Sequence, residues 1–383
     1  MRILQALTYY RPHISGLTIY VERLSRALAA MGHQVTVLTS QYDRCLPLRE
    51  QRDGVVVVRA PVLARISKGV IMPTFGVLLR RLLPTHDVLH IHLPQFDGAG
   101  LALNARLYHK PAILTYHCDV QLPAGLINRV AQPVIGAANH LAGRWVQRVV
   151  AYTEDYARHS PFLSGYLHKL EVIPPPVEIA QPSAEDIATF RRKWGIGDEL
   201  VIGMAARLAT EKGVEVLVHA LEIIHRHTPT ARVLFAGPYQ HVLGEEAYAA
   251  RLQPYFTALG SRWTFTGPLE GRELAAFFAA CAVTVLPSLN STESFGLVQV
   301  ESMLCGTPVV CSDLPGVRVP VHQTGMGKVV PVGDSLALAE AIQEVASNRA
   351  HFIRPREQIA AQFSTTRSAD AYNSLYKRLL STK

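Results

Sequence analysis

A short helix predicted in the second half of the sequence has the features of an anion-binding site. A β-rich run stops at Pro287, a polar loop follows, and apolar residues at helical spacing run from Leu297 to Cys305. Gly306 and Pro308 then end the helix, so the segment is a strand, loop, helix and strand in succession. Free backbone N–H groups at a helix start attract anions, and phosphate suits them. The groups concerned belong to Ser294, Phe295, Gly296 and Leu297.

Two carboxylates flank this helix start. Glu293 precedes it, and Glu301 shares a helix face with Leu297 and Leu304. That face draws the Glu301 carboxylate toward the interior, where it needs a hydrogen-bond donor such as a ligand hydroxyl. Eight residues at the helical rise would separate the two carboxylates by roughly 12 Å, about the distance from the sugar to the ribose of a nucleotide sugar. Two solvated acids on an ordinary helix are the alternative.

Two cations occupy a similar loop earlier in the chain. Leu200 to Met204 is predicted as a strand and Val214 to Arg226 as a helix, and the loop between them contains Arg207 and Lys212. Arginine with its planar fork and lysine as a point charge suit a diphosphate at a helix N-terminus. Solvated surface charges are the alternative.

Two further candidate residues follow strands in the first half. The loop after the strand predicted at Ile3 to Leu7 contains Gly16 but lacks the G-x-G-x-x-G fingerprint of dinucleotide oxidoreductases. His117 follows a strand predicted at Ala112 to Thr115, and open α/β sheets bind ligands at such strand ends. We expect the side chains of His90 and His92 to face opposite sides of their strand, and therefore to form no metal site.

The segment from Glu293 to Glu301, E-S-F-G-L-V-Q-V-E followed by C-G-T-P-V-V, resembles the E-x7-E signature of family 4 of the retaining glycosyltransferases. Arg207 and Lys212 are similar to the R-x4-K pattern of that family, and the resemblance extends over nearly the whole chain. It implies that Glu293 contacts hydroxyls of the donor sugar and that Glu301 holds the ribose. The amides of residues 294–297 would meet the diphosphate.

The resemblance also implies roles for the remaining candidates. Arg207, Lys212 and Gly16 would contact phosphate, His117 would lie near the donor sugar, and Leu269 would contact the nucleobase. The catalytic residues predicted on this basis are His117, Glu293, Arg207 and Lys212.

The family fold is GT-B, an α/β architecture of two doubly wound Rossmann-like domains facing across a cleft, and the repeated βα alternation agrees with it. We predict an acceptor-binding domain at residues 1–176 and a nucleotide-sugar donor-binding domain at residues 177–366. A last helix, residues 367–383, would pack back on the first domain. Pro174, Pro175 and Pro176 form a stiff segment interpreted as the hinge. Pro176 replaces a glycine common in the family.

The expected reaction moves a sugar from a UDP- or GDP-sugar to an acceptor hydroxyl with retention of anomeric configuration, as the resemblance implies. The sequence contains no D-x-D, so we expect neither a metal nor another cofactor. Arg207, Lys212 and the helix-start amides would stabilise the leaving diphosphate instead. In a front-face displacement the departing phosphate accepts the acceptor's proton, and His117 steadies the sugar.

Composition limits the remaining possibilities. The chain has 383 residues, too many for one ordinary core, and no run approaches the ~18 apolar residues of a membrane span. The sequence lacks a signal-peptide layout, and its five cysteines form no C-x-x-C pair. We expect a cytoplasmic enzyme with no nucleic-acid partner.

Three other classes share parts of the pattern. An NAD-dependent dehydrogenase is disfavoured by the missing glycine fingerprint. A two-domain solute-binding protein is disfavoured by the missing signal peptide and by the two phosphate loops. A phosphorylase of the same architecture would need a pyridoxal lysine, which absorbance near the Schiff-base band would reveal.

Positive charge is concentrated in the first half. Between Gly54 and Val150, ten Lys or Arg residues and three Asp residues give +7 of the net +8. From Gly54 to His86 there is no acidic residue, and the basic residues are Arg59, Arg65, Lys68, Arg80 and Arg81. A second stretch without acidic residues runs from residue 121 to 150. The predicted helix face beside Arg80 and Arg81 consists of Phe75, Leu78, Leu79 and Leu82. This pattern suits an anionic membrane surface.

We therefore expect a peripheral membrane enzyme acting on a lipid or polyprenyl-linked acceptor. A soluble sugar or sugar phosphate is the alternative acceptor, and packing of the apolar face on the domain's own sheet is the alternative for the helix.

Overall fold

The computed structural model describes residues 1–66, 69–120 and 126–381. The chain forms two compact units. The first consists of Met1–Pro176 together with Phe363–Lys383, and the second of Val177–Gln362. Lys68, residues 121–125 and residues 382–383, which belong to the predictions above, lie outside the described residues.

The first unit is built on a mostly parallel sheet. The strands of this unit are β1 (Arg2–Ala6), β2 (Gln34–Gln41), β3 (Arg49–Arg52), β4 (Val55–Pro61), β5 (Ala64–Ile66), β6 (Gly69–Ile71), β7 (Val88–Leu93), β8 (Ala112–Tyr116), β9 (Arg148–Ala151) and β10 (Leu170–Val172). Strands β5 and β6 form a short hairpin separate from the main sheet. Over the described residues the sheet has eight strands in the order β10-β9-β8-β7-β1-β2-β4-β3. Strand β3 pairs antiparallel with β4 and forms one edge of this sheet, whereas the other strand pairs described in it are parallel.

Helices follow the strands of this unit. They are α1 (Gly16–Ala30), α2 (Phe75–Leu82), α3 (Gly98–Leu107), α4 (Leu126–Trp145) and α5 (Glu154–His159). The spacing of apolar residues predicts this first helix at Tyr20 to Met31, so its predicted start is four residues too late. The helix starts at Gly16 because Ser15 and Thr18 form a reciprocal capping box, in which the Ser15 hydroxyl accepts from the Thr18 N–H at 3.2 Å.

The apolar face of α2 does not lie on a membrane surface. Phe75 and Leu79 are each 1% exposed and belong to the core of the first unit, and Leu78 and Leu82 pack against that core. The expectation of a membrane-facing helix was wrong, because its apolar side chains are used to cover the sheet of its own domain. Arg80 and Arg81 are exposed.

Arg59 is also not a surface charge. It is 1% exposed, forms an ion pair with Glu50, and donates to the carbonyls of Pro47 at 2.9 Å and Arg11 at 3.0 Å. The basic character of this segment therefore overstates its surface charge. In the described part of the chain, each helix is too short or too polar to cross a membrane.

The second unit is a doubly wound parallel sheet. Its strands are β11 (Val201–Ala205), β12 (Arg232–Ala236), β13 (Trp263–Gly267), β14 (Val283–Leu286), β15 (Val309–Ser312) and β16 (Gly327–Val330). In the part of the chain that the structure describes, the order is β13-β12-β11-β14-β15-β16. The chain moves outward from β11 to β13 and then returns to the other side of β11 with β14.

Helices cover the faces of this sheet. They are α6 (Ala184–Lys193), α7 (Val214–Ile224), α8 (Glu246–Leu259), α9 (Gly271–Ala280), α10 (Leu297–Leu304), α11 (Arg318–Thr324), α12 (Ser335–Ser347), α13 (Arg349–Phe352) and α14 (Arg356–Phe363). The core between helices and sheet includes Leu217, Leu221 and Ile224 of α7, each 0% exposed.

The last helix, α15 (Thr365–Ser381), belongs to the first unit. Tyr372 and Tyr376 are both 0% exposed within it. At its start the Ser368 hydroxyl donates to the Pro174 carbonyl at 2.7 Å, which fastens the helix to the proline segment.

Candidate active site

The switch point of the second sheet lies between β11 and β14, where the strand order reverses. Ligands of open α/β sheets bind at the carboxyl ends of the strands at such a point. Arg207 and Lys212 follow β11, and Glu293 follows β14. Three of the residues predicted from the sequence therefore leave the sheet side by side.

The loops after β11 and β14 are braced against each other. The N–H of Leu289 donates to the Glu211 carbonyl at 2.9 Å. Gly213 adopts a left-handed conformation with φ of 64°, and a Cβ there would lie 2.1 Å from the Pro287 carbonyl oxygen. Thr210 donates through both its N–H and its hydroxyl to the buried carboxylate of Glu245, at 3.0 and 2.9 Å. These contacts fix the backbone before Lys212, at Thr210 and Glu211, and after it, at Gly213.

Gly213→Ala is expected to lower the free energy of unfolding by about 2 kcal/mol or more, because it combines left-handed strain with a backbone clash. Gly244→Ala is the matched control. Gly244 has φ of 78° but no heavy atom within 4 Å of an added Cβ, so a loss of about 1 kcal/mol is expected from strain alone. Denaturant unfolding of both variants measures the difference. Equal losses would contradict the close loop contact.

Lys212 and Glu293 form a direct ion pair. The Lys212 Nζ lies 2.6 Å from the Glu293 Oε2, and the two side chains are 19% and 16% exposed. A turn positions the carboxylate, since the Glu293 N–H donates to the Asn290 carbonyl at 3.2 Å. Arg207 forms a second pair of 2.6 Å with Glu211. Each candidate phosphate-binding cation therefore already has a carboxylate partner.

Helix α10 starts where the apolar spacing predicted it, but the residues from Glu293 to Gly296 before it are not helical. The helix begins at Leu297, and Gly296 caps it in a left-handed conformation with φ of 77°. A Cβ at Gly296 would lie 2.3 Å from the Leu286 side chain, so the turn before the helix requires glycine. Because only the part from Leu297 to Glu301 is helical, the separation of roughly 12 Å derived from helical rise does not apply.

Gln299 fixes the loop that carries the predicted phosphate amides. It is 0% exposed, and its side-chain N–H groups donate to the carbonyls of Phe295 and Val317, the latter at 2.9 Å. Ser294 and Phe295 are themselves buried, at 5% and 1% exposure. The amides of residues 294–297 are therefore held on a rigid turn.

Glu301 lies on the buried side of α10, as the helix spacing predicted, and is 5% exposed. Leu269 is half-buried and packs against the core cluster of α6 and α9. Its predicted contact with a nucleobase stays a prediction.

Gly16 lies at the first position of α1, after the loop that follows β1. No heavy atom lies within 4 Å of a Cβ built on it. The glycine is therefore not required by packing within its own unit, and its predicted approach to phosphate stays a prediction.

His117 ends a chain of buried hydrogen bonds in the first unit. Its Nε2 lies 3.0 Å from the His92 Nδ1, and its Nδ1 bonds to the Tyr152 hydroxyl. The His92 Nε2 lies 2.9 Å from the Gln5 side-chain oxygen. Burial lowers the pKa of His117 to about 3, so the ring is neutral at physiological pH. With Gln5 accepting, His92 accepts from the His117 N–H, and His117 accepts from Tyr152. The imidazole is held through both nitrogens.

His90 and His92 share one face of β7, and their ring centroids are 4.0 Å apart. The expectation of opposite faces was wrong, because residues two apart in a strand point to the same side. His90 bonds to the hydroxyls of Tyr376 and Thr115, both at 2.7 Å, and Thr115 contacts the Tyr372 hydroxyl at 2.7 Å. Burial lowers the pKa of both histidines well below the usual value. Their rings are part of a buried hydrogen-bond network that joins β7 to α15.

Three positioning residues were missed by the sequence analysis: Glu211, Glu245 and Gln299. Glu211 immediately precedes Lys212, and an acid four residues after Arg207 is a recognisable pairing signal. Gln299 lies inside the E-x7-E segment, and its position on the predicted helix could have indicated that its side chain is buried. Nothing in the sequence connects Glu245 to Thr210, 35 residues earlier.

Comparison with solved structures defines the class of fold. Sucrose-phosphate synthase from Thermosynechococcus elongatus superposes with a TM-score of 0.79 at 23% identity, over 100% of both chains. Anabaena HepE, solved in complex with UDP-glucose, gives a TM-score of 0.79 at 20% identity, over 98% of this chain and 100% of that one. The fold is that of the GT-B glycosyltransferases, as predicted.

Sequence families identify the chain more narrowly. The family described as glycosyl transferases group 1 matches residues 186–362, and the glycosyl transferase 4-like domain matches residues 15–176. The chain belongs to family 4 of the glycosyltransferases, a retaining family.

Two curated relatives extend over most of the chain. A D-inositol 3-phosphate glycosyltransferase from Xylanimonas cellulosilytica is 30% identical over 85% of this chain and 82% of its own length. A 2-deoxystreptamine glucosyltransferase from Streptomyces kanamyceticus is 27% identical over 95% of this chain and 99% of its own. The chain is therefore similar to enzymes named for two different small cyclic acceptors.

Proposed function

We propose that this protein transfers a hexosyl group from a UDP-sugar to a hydroxyl of a soluble polyol or sugar-phosphate acceptor in the cytoplasm. The observation that carries the donor half is the 2.6 Å contact of Lys212 with Glu293 at the switch point of the second sheet. It brings a phosphate-binding cation and a sugar-binding carboxylate to one place, as a nucleotide sugar requires. HepE, which shares the fold, is described as binding UDP-glucose, and this supports UDP as the nucleotide.

The leaving diphosphate is stabilised by the second unit. Arg207 and Lys212 supply two positive charges, and the amides of residues 294–297 supply dipoles on the turn held by Gln299. Such preorganised groups stabilise charge that develops as the bond to the phosphate breaks. No metal is assigned to this mechanism.

The transfer is a front-face displacement. The bond between the anomeric carbon and the phosphate oxygen breaks while the acceptor oxygen bonds to the same face of that carbon. The acceptor's proton passes to the departing phosphate oxygen. Glu293 orients the sugar through its hydroxyls, Glu301 binds the ribose, and Leu269 contacts the nucleobase.

The first unit binds the acceptor in this proposal. Gly16 leaves room for phosphate at the start of α1, and the ring of His117, which is neutral and hydrogen-bonded through both nitrogens, steadies the sugar as a fixed neighbour and not as a base. A lipid-linked acceptor was the first expectation, but its main support is gone because Phe75 and Leu79 are buried in the domain's own core. The names of the relatives, one for inositol 3-phosphate and one for 2-deoxystreptamine, favour the soluble alternative.

A thermal-shift panel of UDP-, GDP- and ADP-sugars, followed by transfer assays, tests the proposal. We expect stabilisation by a UDP-sugar and transfer to at least one acceptor among inositol phosphate, 2-deoxystreptamine and hexose phosphates. The anomeric coupling constant of the product should match that of the donor. Activity should persist in EDTA.

Transfer only to polyprenyl-linked acceptors would overturn the acceptor assignment. Loss of activity in EDTA with recovery on adding manganese would overturn the metal-free mechanism.

A further inference from the structure

We propose that the Lys212–Glu293 ion pair makes the enzyme discriminate between the intact nucleotide sugar and the spent nucleoside diphosphate. This inference rests on the proposed donor site. It assigns Glu293 a second role, as an internal anion that competes with the diphosphate for Lys212.

The contact itself supports this role. The pair is 2.6 Å long, and neither side chain is more than 19% exposed. Any diphosphate that binds Lys212 therefore competes for it with a carboxylate that has little access to water. A partly buried carboxylate that loses its partner retains a desolvation penalty, and it also repels the incoming phosphate charge.

The two ligands differ in how they compensate for this loss. A nucleotide sugar brings sugar hydroxyls next to Glu293, and these donate hydrogen bonds to the carboxylate that Lys212 has left. A nucleoside diphosphate brings phosphate charge but no sugar hydroxyl. Only the intact donor therefore gives both Lys212 and Glu293 a new partner. Release of the nucleoside diphosphate is favoured because Lys212 can return to Glu293.

The surrounding loops keep the pair in place. Leu289 is bonded to the Glu211 carbonyl at 2.9 Å, and Gly213 packs on Pro287, so the two loops cannot separate to relieve the competition. Arg207 is also paired with a carboxylate, Glu211, at 2.6 Å. That second pair does not distinguish the two ligands, because Glu211 has no assigned contact with the sugar.

Isothermal titration calorimetry of Glu293→Gln with UDP, and with UDP-glucose, tests the proposal. Glutamine keeps the size of the side chain but removes the charge. We expect the Kd for UDP to fall about fivefold, the effect of releasing one partly buried cation from its partner. The Kd for UDP-glucose should not fall, since the lost hydrogen bond to the sugar offsets the gain. Inhibition of the enzyme by UDP should strengthen in parallel.

Glu273→Gln is the matched control, because Lys193 and Glu273 form a pair of the same 2.6 Å length in the same unit but 56% and 42% exposed. It should leave both affinities unchanged. A Lys212→Met, Glu293→Gln double variant completes a double-mutant cycle, in which Glu293→Gln should tighten UDP less on the Lys212→Met background than in the wild type, because only the phosphate repulsion is left to remove.

An unchanged or weaker UDP affinity in Glu293→Gln would overturn the inference while leaving the donor site intact. Equal tightening of UDP and UDP-glucose would also overturn it, because the pair would then not discriminate. If wild type and Glu293→Gln bind none of UDP, GDP and ADP, the proposed donor site itself fails and the inference fails with it. If GDP or ADP binds in place of UDP, the same comparison is made with that nucleotide and its glucose conjugate.

Discussion

Lys212→Ala is expected to lower kcat by about 100-fold or more, since the lysine charge interacts most strongly with the diphosphate as it departs. Arg207→Ala should have a loss of similar size. Both cations lie at the carboxyl end of β11, next to the switch point. Their side chains are 19% and 41% exposed, so neither substitution opens the core. Steady-state transfer kinetics at saturating donor measure the effect.

Lys193→Ala provides the control, because it removes an ion-paired lysine of the same unit that lies outside the site. It should retain wild-type kcat. Thermal unfolding should show all three variants folded. A loss below threefold in both site variants would mean that Arg207 and Lys212 are ordinary surface charges.

Glu293→Ala and Glu301→Ala are expected to damage different kinetic parameters. Glu293 contacts the transferred sugar in the proposed mechanism, so its removal should lower kcat by about 100-fold. Glu301 is assigned to the ribose, which does not change during the reaction. Its loss should mainly raise the KM for donor, by about tenfold, as expected for a hydrogen bond to a charged group. Initial rates over a donor concentration series separate the two effects.

Glu301 is 5% exposed, so Glu301→Gln should accompany the alanine variant to separate binding from folding. Glu344→Ala removes an exposed acid of the same unit and should change neither parameter. Wild-type kinetics in either Glu293→Ala or Glu301→Ala would show that the E-x7-E assignment is wrong.

Much of the fold was predictable because strands and helices alternate with clear periodicity. The strand predicted at Ala112 to Thr115 is β8, one residue longer, and the helix predicted from Val214 is α7. The β3–β4 hairpin was missed although its turn is Asp53-Gly54, both with positive φ of 51° and 78°. That dipeptide is a strong hairpin signal, which the charged sequence of β3 obscured.

The candidate site was less accessible to sequence reasoning. The types and local spacing of Lys212 and Glu293 marked both residues, but 81 positions separate them. Their contact depends on β14 pairing beside β11, and the sequence does not encode strand order in any short motif. Helix α2 shows a different limit of sequence reasoning, since its pattern was visible but its partner was not. Its apolar stripe was correctly read from Phe75 and Leu79, but periodicity alone does not distinguish a core from a membrane as the surface it covers.

The place of α15 has a consequence for how the protein is made. Tyr372 and Tyr376 supply hydroxyl partners to Thr115 and His90, which are both 0% exposed. The ribosome synthesises these tyrosines only after the whole of the second unit. Domains generally fold in the order of synthesis, but here the first-made domain emerges before the two tyrosine hydroxyls that complete its buried polar network have been synthesised. We therefore expect the hydrogen-bond network of the first domain to be completed only when the end of the chain returns to it.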